Sequence, residues 1–286
     1  MSLSSDQHVP VVAVRLAEGR SGSTLLMQLL ATGEGVVFDD RYPSEYRFLS
    51  YFARVAEMAT EPFDEQIHPG VTPFFFDENR PWGPVPFVSD FIDVAELRSP
   101  ALSGLWAAWS AVARQRQPGI VAYAEKVAVE IETIHAAGIP VRVIDLVRDP
   151  RDVLASIRSF TASGVDGFGR SPGVDERDYL ETFIGRFRAG LQMMAKPLPA
   201  GVERLLVHYE DLVADLDTET ARIGSWLGID LDPDRVLASR SQYAHHMTAE
   251  TTESSVGRWR RDLDPDEARR ITEAIGDAAM GLGLEW

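Results

Sequence analysis

Two short runs of this 286-residue chain carry the residue types that grip anions. The first is Gly19-Arg20-Ser21-Gly22-Ser23-Thr24, which follows an apolar stretch and leads at once into Leu25-Leu26-Met27-Gln28-Leu29-Leu30. A Gly/Ser turn between a strand and a helix aims backbone N–H groups at one point, and the helix dipole adds roughly half a positive charge there. Gly22 lets the backbone approach a phosphate, and Ser21, Ser23 and Thr24 add hydroxyl donors. The ATP/GTP form of such a turn needs G-x-x-x-x-G-K-[ST]. Here Ser23 stands at the Lys position and Ala17 at the first Gly. The turn therefore suits a terminal 5′-phosphate or phosphosulfate with Arg20 as its cation; the plain alternative is a Ser/Gly-rich helix cap with no ligand.

The second run is Arg148-Asp149-Pro150-Arg151-Asp152, with Ser156 further on. Arg148 can fork two donors onto a phosphate. Its plain alternative is an ion pair with Asp145, Asp149 or Asp152, and that of Ser156 is a small packing residue. His135 reads as structural and His245-His246 as loop or core, because neither has metal-ligand spacing around it. No carboxylate pair is placed to hold a metal ion.

These residues need a scaffold. Residues 9–16 read as a buried strand, and the helix after the turn is unbroken until Gly33. Residues 44–59 carry Phe48, Phe52, Val55 and Ala56 on one stripe of an amphipathic helix. Helices are expected over 94–116 and 128–137, and strands over 119–124, 141–147 and 203–208. Asp149-Pro150 is a helix start, with Asp at the N-cap and Pro at the first helical position, and that helix runs to about Phe160. Further helices are expected over 176–195, 211–227 and 265–281, with 162–175 a Gly/Ser-rich loop and 240–262 mostly loop. Strands alternating with helices imply a parallel sheet covered on both faces. Ligands of such sheets sit beyond the carboxyl ends of the strands, where both runs fall. Residues 61–91 hold many Pro and the aromatics Phe63, Phe74, Phe75, Phe76, Trp82, Phe87 and Phe91. They read as an irregular segment, either an acceptor pocket or a flap packed on the core.

Composition sets the outer bounds. The chain is long enough for one large α/β domain or two small ones. The formal net charge is −16, which argues against nucleic acid or an anionic membrane as partner. All cations but Lys126 and Lys196 are Arg, so an anion pocket must rest on guanidinium and backbone N–H groups. With no Cys, disulfides, thiol nucleophiles and cysteine zinc sites are excluded. No run approaches the ~18 apolar residues of a membrane span, and no signal peptide is evident. A cytoplasmic, bacterial-type enzyme is the expectation, with a homo-oligomer left open.

Taken together, these runs resemble the sulfotransferases that use 3′-phosphoadenosine 5′-phosphosulfate (PAPS) and release 3′-phosphoadenosine 5′-phosphate (PAP). The resemblance rests on Gly19 to Leu26, on Arg148 to Asp152 with Ser156, on His208-Tyr209-Glu210-Asp211-Leu212, and on Gly257-Arg258-Trp259-Arg260, in that order. Tyr42-Pro43-Ser44-Glu45-Tyr46 makes it most similar to the bacterial branch, which includes glycolipid sulfotransferases. The resemblance implies a single domain over 1–286 with 61–91 as an insertion, built on a P-loop-type parallel sheet flanked by helices on both faces. It assigns Arg20, Ser21, Gly22, Ser23, Thr24 and Leu25 to the 5′-phosphosulfate. Arg148 and Ser156 go to the 3′-phosphate, Tyr209 to the adenine side, and Ser255, Gly257 and Arg258 to a late loop over the 3′-phosphate. Glu45 matches the general base of the bacterial Pro-x-Glu motif. The animal cytosolic enzymes use a His from a Lys-Thr-His run, where this chain has Glu125-Lys126-Val127. Lys126 is a candidate contact to the sulfuryl group or acceptor, and Glu125 an alternative base; a surface ion pair is the plain alternative for both. The implied reaction is sulfuryl transfer to a hydroxyl of a small-molecule, lipid-linked or carbohydrate acceptor, without a metal. The competing readings are a P-loop small-molecule kinase and a non-catalytic PAP-binding protein.

Overall fold

A computed structural model of the protein describes residues 7–38, 47–58, 94–162, 168, 175–239, 251 and 253–286. Its centre is a five-stranded sheet in the order β2-β3-β1-β4-β5, formed by β1 (Val11–Leu16), β2 (Val36–Val37), β3 (Ala122–Lys126), β4 (Val141–Val147) and β5 (Arg204–His208). All four neighbour pairs are parallel. The helices are α1 (Ser23–Ala31), α2 (Phe48–Met58), α3 (Arg98–Arg116), α4 (Ile131–Ala136), α5 (Pro150–Ala162), α6 (Glu176–Ala195), α7 (Tyr209–Ala214), α8 (Leu216–Leu227), α9 (Pro233–Ser239), α10 (Trp259–Asp262) and α11 (Pro265–Met280). This is the expected α/β architecture.

The alternation of β1 shows how both faces are covered. Val12 and Val14 join Ile144, Leu146 and Val207 in a core shared with Leu26, Leu29 and Leu30 of α1 and Ile223 of α8. Val11, Ala13 and Val143 point the other way, toward Leu49 of α2, Trp106 of α3 and Ile131 of α4. Val147 meets α5, α6 and α11 through Val153, Phe183, Phe187 and Ile271. A strand buried on both faces has no polar side, which is why residues 11–14 read as a continuous apolar run. Helix α6 lies very close to the end of β1: a Cβ on Gly190 would stand 2.2 Å from the Ala17 carbonyl oxygen. Charged pairs cross the sheet at Asp145 of β4, which meets Arg15 of β1 and, at 3.4 Å, Arg204 of β5. Arg15 of β1 and Asp145 of β4 are register partners and exchange two hydrogen bonds, Nε to Oδ1 at 2.7 Å and Nη2 to Oδ2 at 2.8 Å.

Several boundaries differ from the sequence expectation for physical reasons. The helix expected over 211–227 is two helices, α7 and α8. They break at Asp215, whose extended backbone (φ −150°) lets its carboxylate accept from the Thr218 N–H at 3.0 Å and start the second helix. The strand expected over 119–124 begins at Ala122, because Gly119 has φ 94° and the Ile120 N–H turns back to Gln117. The 94–116 segment opens as a 3₁₀ turn, Val94–Leu97, before α3. Pro100 falls in the first turn of α3, where no N–H is needed. The two-residue β2 was not foreseen; a strand that short carries no periodicity. In the late segment expected as loop, 253–255 form a 3₁₀ turn and 259–262 a helical turn. Glu45 with its Pro-x-Glu run, the aromatic segment 61–91 and His245-His246 lie outside the described residues.

Candidate functional site

The segments that leave β1, β4 and β5 converge at the carboxyl edge of the sheet. The first is the Gly/Ser turn. Ser21 is fully buried and its Oγ donates to the Glu18 carbonyl at 2.7 Å, which tightens the turn. Gly22 caps α1 with φ 90°, a left-handed conformation that suits glycine. Among the described residues no side chain caps this helix, so the positive end of the α1 dipole opens at Ser23 and Thr24. The outer wall is held by Glu18, which accepts from the Gly19 N–H at 2.9 Å and from Arg186 Nε at 2.8 Å.

Tyr209, the first residue of α7, lays its ring on Gly22. A Cβ there would stand 2.1 Å from the ring. Gly22→Ala is therefore expected to suffer twice, from the positive φ and from the clash. The expected result is a fall of about 2–4 kcal/mol in unfolding free energy, read as a lowered urea midpoint.

From β4, Arg148 reaches under the turn. Its Nη1 donates to the Arg20 carbonyl at 2.9 Å and its Nη2 to the Ser255 carbonyl at 2.7 Å. Its guanidinium lies 4.4 Å from the centre of the Tyr209 ring, and the Tyr209 hydroxyl is 2.9 Å from Ser255 Oγ. The sequence had offered Asp145, Asp149 or Asp152 as ion-pair partners for Arg148. All three are engaged elsewhere: Asp145 with Arg15, Asp149 with Arg151, and Asp152 with backbone N–H groups of the late loop.

Helix α5 presents a stripe one turn apart: Asp152, Ser156 and Phe160. Arg20 Nε donates to Ser156 Oγ at 3.3 Å, and the Arg20 guanidinium stands 4.6 Å over the Phe160 ring. Arg20 thus holds its turn by its backbone (φ 66°) and extends its side chain toward Arg148 and Ser156. Arg20 and Arg148 therefore lie on the same side of the molecule. Burial first, then the Arg148 charge, and then that of Arg258, push the Arg20 pKa down to about 10, with Tyr209 opposing; it stays cationic at neutral pH.

The late loop closes the far side. Arg258 is buried, and its Nη2 pairs with Asp262 at 2.7 Å. The Gly257 and Trp259 N–H groups donate to the two oxygens of Asp152, at 2.6 and 2.9 Å. Burial is the largest influence on Asp152 and raises its pKa. The role of Asp152 escaped the sequence reading, although its spacing of four from Ser156 puts both on one helix face.

The two candidates at the end of β3 have different surroundings. Lys126 is buried rather than on the surface, beside Val14 of β1 in register. Glu125 is buried too, so neither forms the surface ion pair weighed above. Its carboxylate accepts from the Leu49 N–H at 2.8 Å, the Ser50 N–H at 3.0 Å, Ser50 Oγ at 2.5 Å and the Tyr123 hydroxyl at 3.0 Å. Burial raises its pKa against these bonds. It anchors the start of α2. Among the described residues no group of His, Asp and Glu has the geometry of a metal site, and no helix is long and apolar enough to cross a membrane.

A model of the sulfotransferase family matches residues 16–234. None of the curated proteins compared with the chain matches it. Similar solved structures include the sulfotransferase domain of the olefin synthase of Synechococcus PCC 7002, at 19% identity and a TM-score of 0.49, over 94% of this chain and 95% of that one. Retinol dehydratase in complex with androsterone and PAP is similar at 16% identity and a TM-score of 0.47, over 96% and 82% of the two chains. The sulfotransferase STF9 of Mycobacterium avium is similar at 15% identity and a TM-score of 0.46, over 98% and 79%.

Proposed function

The chain belongs to the sulfotransferase family; from that premise we propose that it takes a sulfuryl group from PAPS, releases PAP and sulfates a hydroxyl of a small-molecule, lipid-linked or carbohydrate acceptor, with Glu45 as general base. The observation that carries the reading is the meeting of Arg20, Arg148 and Arg258 with Ser156 and Tyr209 at the end of the sheet. The charges of Arg148 and Arg258 both depress the pKa of Arg20. Arg148 Nε is buried without a hydrogen-bond partner among the described residues. Buried cations so grouped are stable when an anion completes them. The donor set fits a doubly phosphorylated adenosine, with one phosphate at the α1 N-terminus and the other among Arg148, Ser156 and the late loop.

PAPS supplies the sulfuryl group, which passes to the acceptor oxygen as its bond to the 5′-phosphate breaks. The protein's part is to orient and to stabilise charge. The N–H groups and hydroxyls of Ser23 and Thr24, with Arg20, face the 5′ end, where negative charge grows on the departing oxygen. Donors fixed there in advance form the largest catalytic contribution. Ser21 and Leu25 shape the turn, and Tyr209 with Gly22 sets the side on which the nucleoside lies. Lys126, buried at the end of β3, is assigned to the acceptor side. Glu45 takes the proton of the acceptor hydroxyl; in sequence it lies three residues ahead of α2. Phe48 and Tyr51, exposed on α2, support an acceptor with an apolar or aromatic body.

The test is a thermal shift with PAP against ATP. PAP at about a hundred times its Kd is expected to stabilise by about 2.7 kcal/mol, a rise of roughly 5–10 °C in Tm. ATP at the same concentration is expected to leave Tm near its starting value. A larger shift with ATP than with PAP overturns the donor assignment in favour of a kinase.

A further inference from the structure

We propose that Asp152 is a positioning residue that latches the late loop onto the nucleotide pocket, so that Ser255 and Arg258 are in place for the 3′-phosphate. Asp152 touches neither reacting atoms nor, in this reading, the nucleotide. It lies in the first turn of α5, one turn before Ser156, and is almost wholly buried. Each of its carboxylate oxygens accepts one backbone N–H from the late loop, Oδ2 from Gly257 and Oδ1 from Trp259. Gly257 has φ 69°, and successive N–H groups in such a turn form a small anion cradle. The cradle is filled by this side chain, so the Gly257 N–H is turned to the latch and not to the nucleotide. Between the two latched residues sits Arg258, whose guanidinium is fixed in turn by Asp262. On the other flank, Ser255 is tied by its carbonyl to Arg148 and by its hydroxyl to Tyr209. Asp152 therefore holds residues 257–259, next to the part of the loop tied at Ser255, and it does so from the same helix that offers Ser156.

The inference rests on the PAP reading above, and its test separates the two. Affinities for PAP and for adenosine 5′-monophosphate, which lacks the 3′-phosphate, are measured by calorimetry on the full chain. The wild type is expected to prefer PAP strongly. Asp152→Asn puts an N–H donor against one of the two loop N–H groups. The expected result is a PAP affinity lower by about tenfold to a hundredfold, the size of one charge-assisted hydrogen bond, with monophosphate affinity within about twofold. Asp152→Glu, which keeps the two acceptors, is expected to recover part of the loss, and it carries the same comparison if the Asn variant does not fold. Equal losses for both nucleotides mean a general structural role and overturn the latch. So does an unchanged preference for PAP in both variants. A wild type without preference for PAP overturns the donor reading itself, together with the latch that rests on it.

Discussion

Replacing Arg148 by alanine is expected to weaken PAP binding by about thirtyfold to a few thousandfold, the equivalent of about 2–5 kcal/mol for removing one partner of a buried charged contact. Arg148 does two things at once, which is why the effect is large. It contributes a buried positive charge to the pocket, with Nε facing no partner among the described residues. It also ties the Gly/Ser turn to the late loop through the carbonyls of Arg20 and Ser255. Alanine removes the charge, strips the buried Ser255 carbonyl and the half-buried Arg20 carbonyl of their donor and leaves the Tyr209 ring without its cation. The stability of the free protein is expected to fall as well, by about 1–3 kcal/mol per carbonyl left unsatisfied. Arg148→Lys separates the roles: it keeps the charge but lacks the planar fork that spans both carbonyls, so its PAP affinity is expected to lie between those of wild type and Arg148→Ala. Calorimetric titration with PAP, with Tm recorded in parallel, reads both. An affinity within about threefold of wild type for Arg148→Ala, below ~0.7 kcal/mol, would remove Arg148 from the nucleotide pocket.

Glu45→Gln is expected to reduce turnover by about 10²–10⁴-fold, the usual size of a general-base contribution, while PAP affinity stays within about twofold. Glutamine is nearly isosteric but does not take up a proton at neutral pH. The companion variant Glu125→Gln distinguishes the two acidic candidates. Both Glu125 oxygens accept N–H bonds from the first turn of α2. An amide there offers one acceptor and sets an N–H against the other donor, so the expected loss is in Tm. Release of PAP in single-turnover reactions with radiolabelled PAPS and a metabolite extract as acceptor source gives the rate. Full turnover in Glu45→Gln with loss in Glu125→Gln would reverse the assignment.

The sequence shows the site more clearly than it shows what secures the site. The strand–turn–helix at Ala17 to Ser23 and the Asp149-Pro150 helix start are local features with local causes: glycine conformation, N-capping and a doubly buried strand. They appear in the fold where the residues place them, and the Asp149 carboxylate accepts from the Arg151 N–H as an N-cap should. Asp152 and Glu125 could be seen only as acids beside basic residues. Both accept from backbone N–H groups more than seventy positions away, and nothing in the spacing of side chains announces a long-range bond to main chain. The split between α7 and α8 was hidden for a different reason. Asp215 ends one helix and caps the next, and a continuous 3.6-residue pattern across the pair conceals the break.

The pair between Arg15 and Asp145 has a consequence beyond its own geometry. A strand slipped by one residue turns every side chain to the opposite face. Here such a slip of β4 against β1 would carry Asp145 into the aliphatic layer of Ile144 and Leu146, and would strand Arg15 in the interior without its acid. Breaking a buried pair in that way costs about 3–5 kcal/mol, whereas valine meeting valine in a neighbouring register costs little. The apolar strands alone could misassemble; the two charges proofread them. Because β1 and β4 feed the turns that bear Arg20 and Arg148, and each register step is about 3.3 Å, this check on alignment also sets the two guanidiniums at matching heights before any ligand arrives.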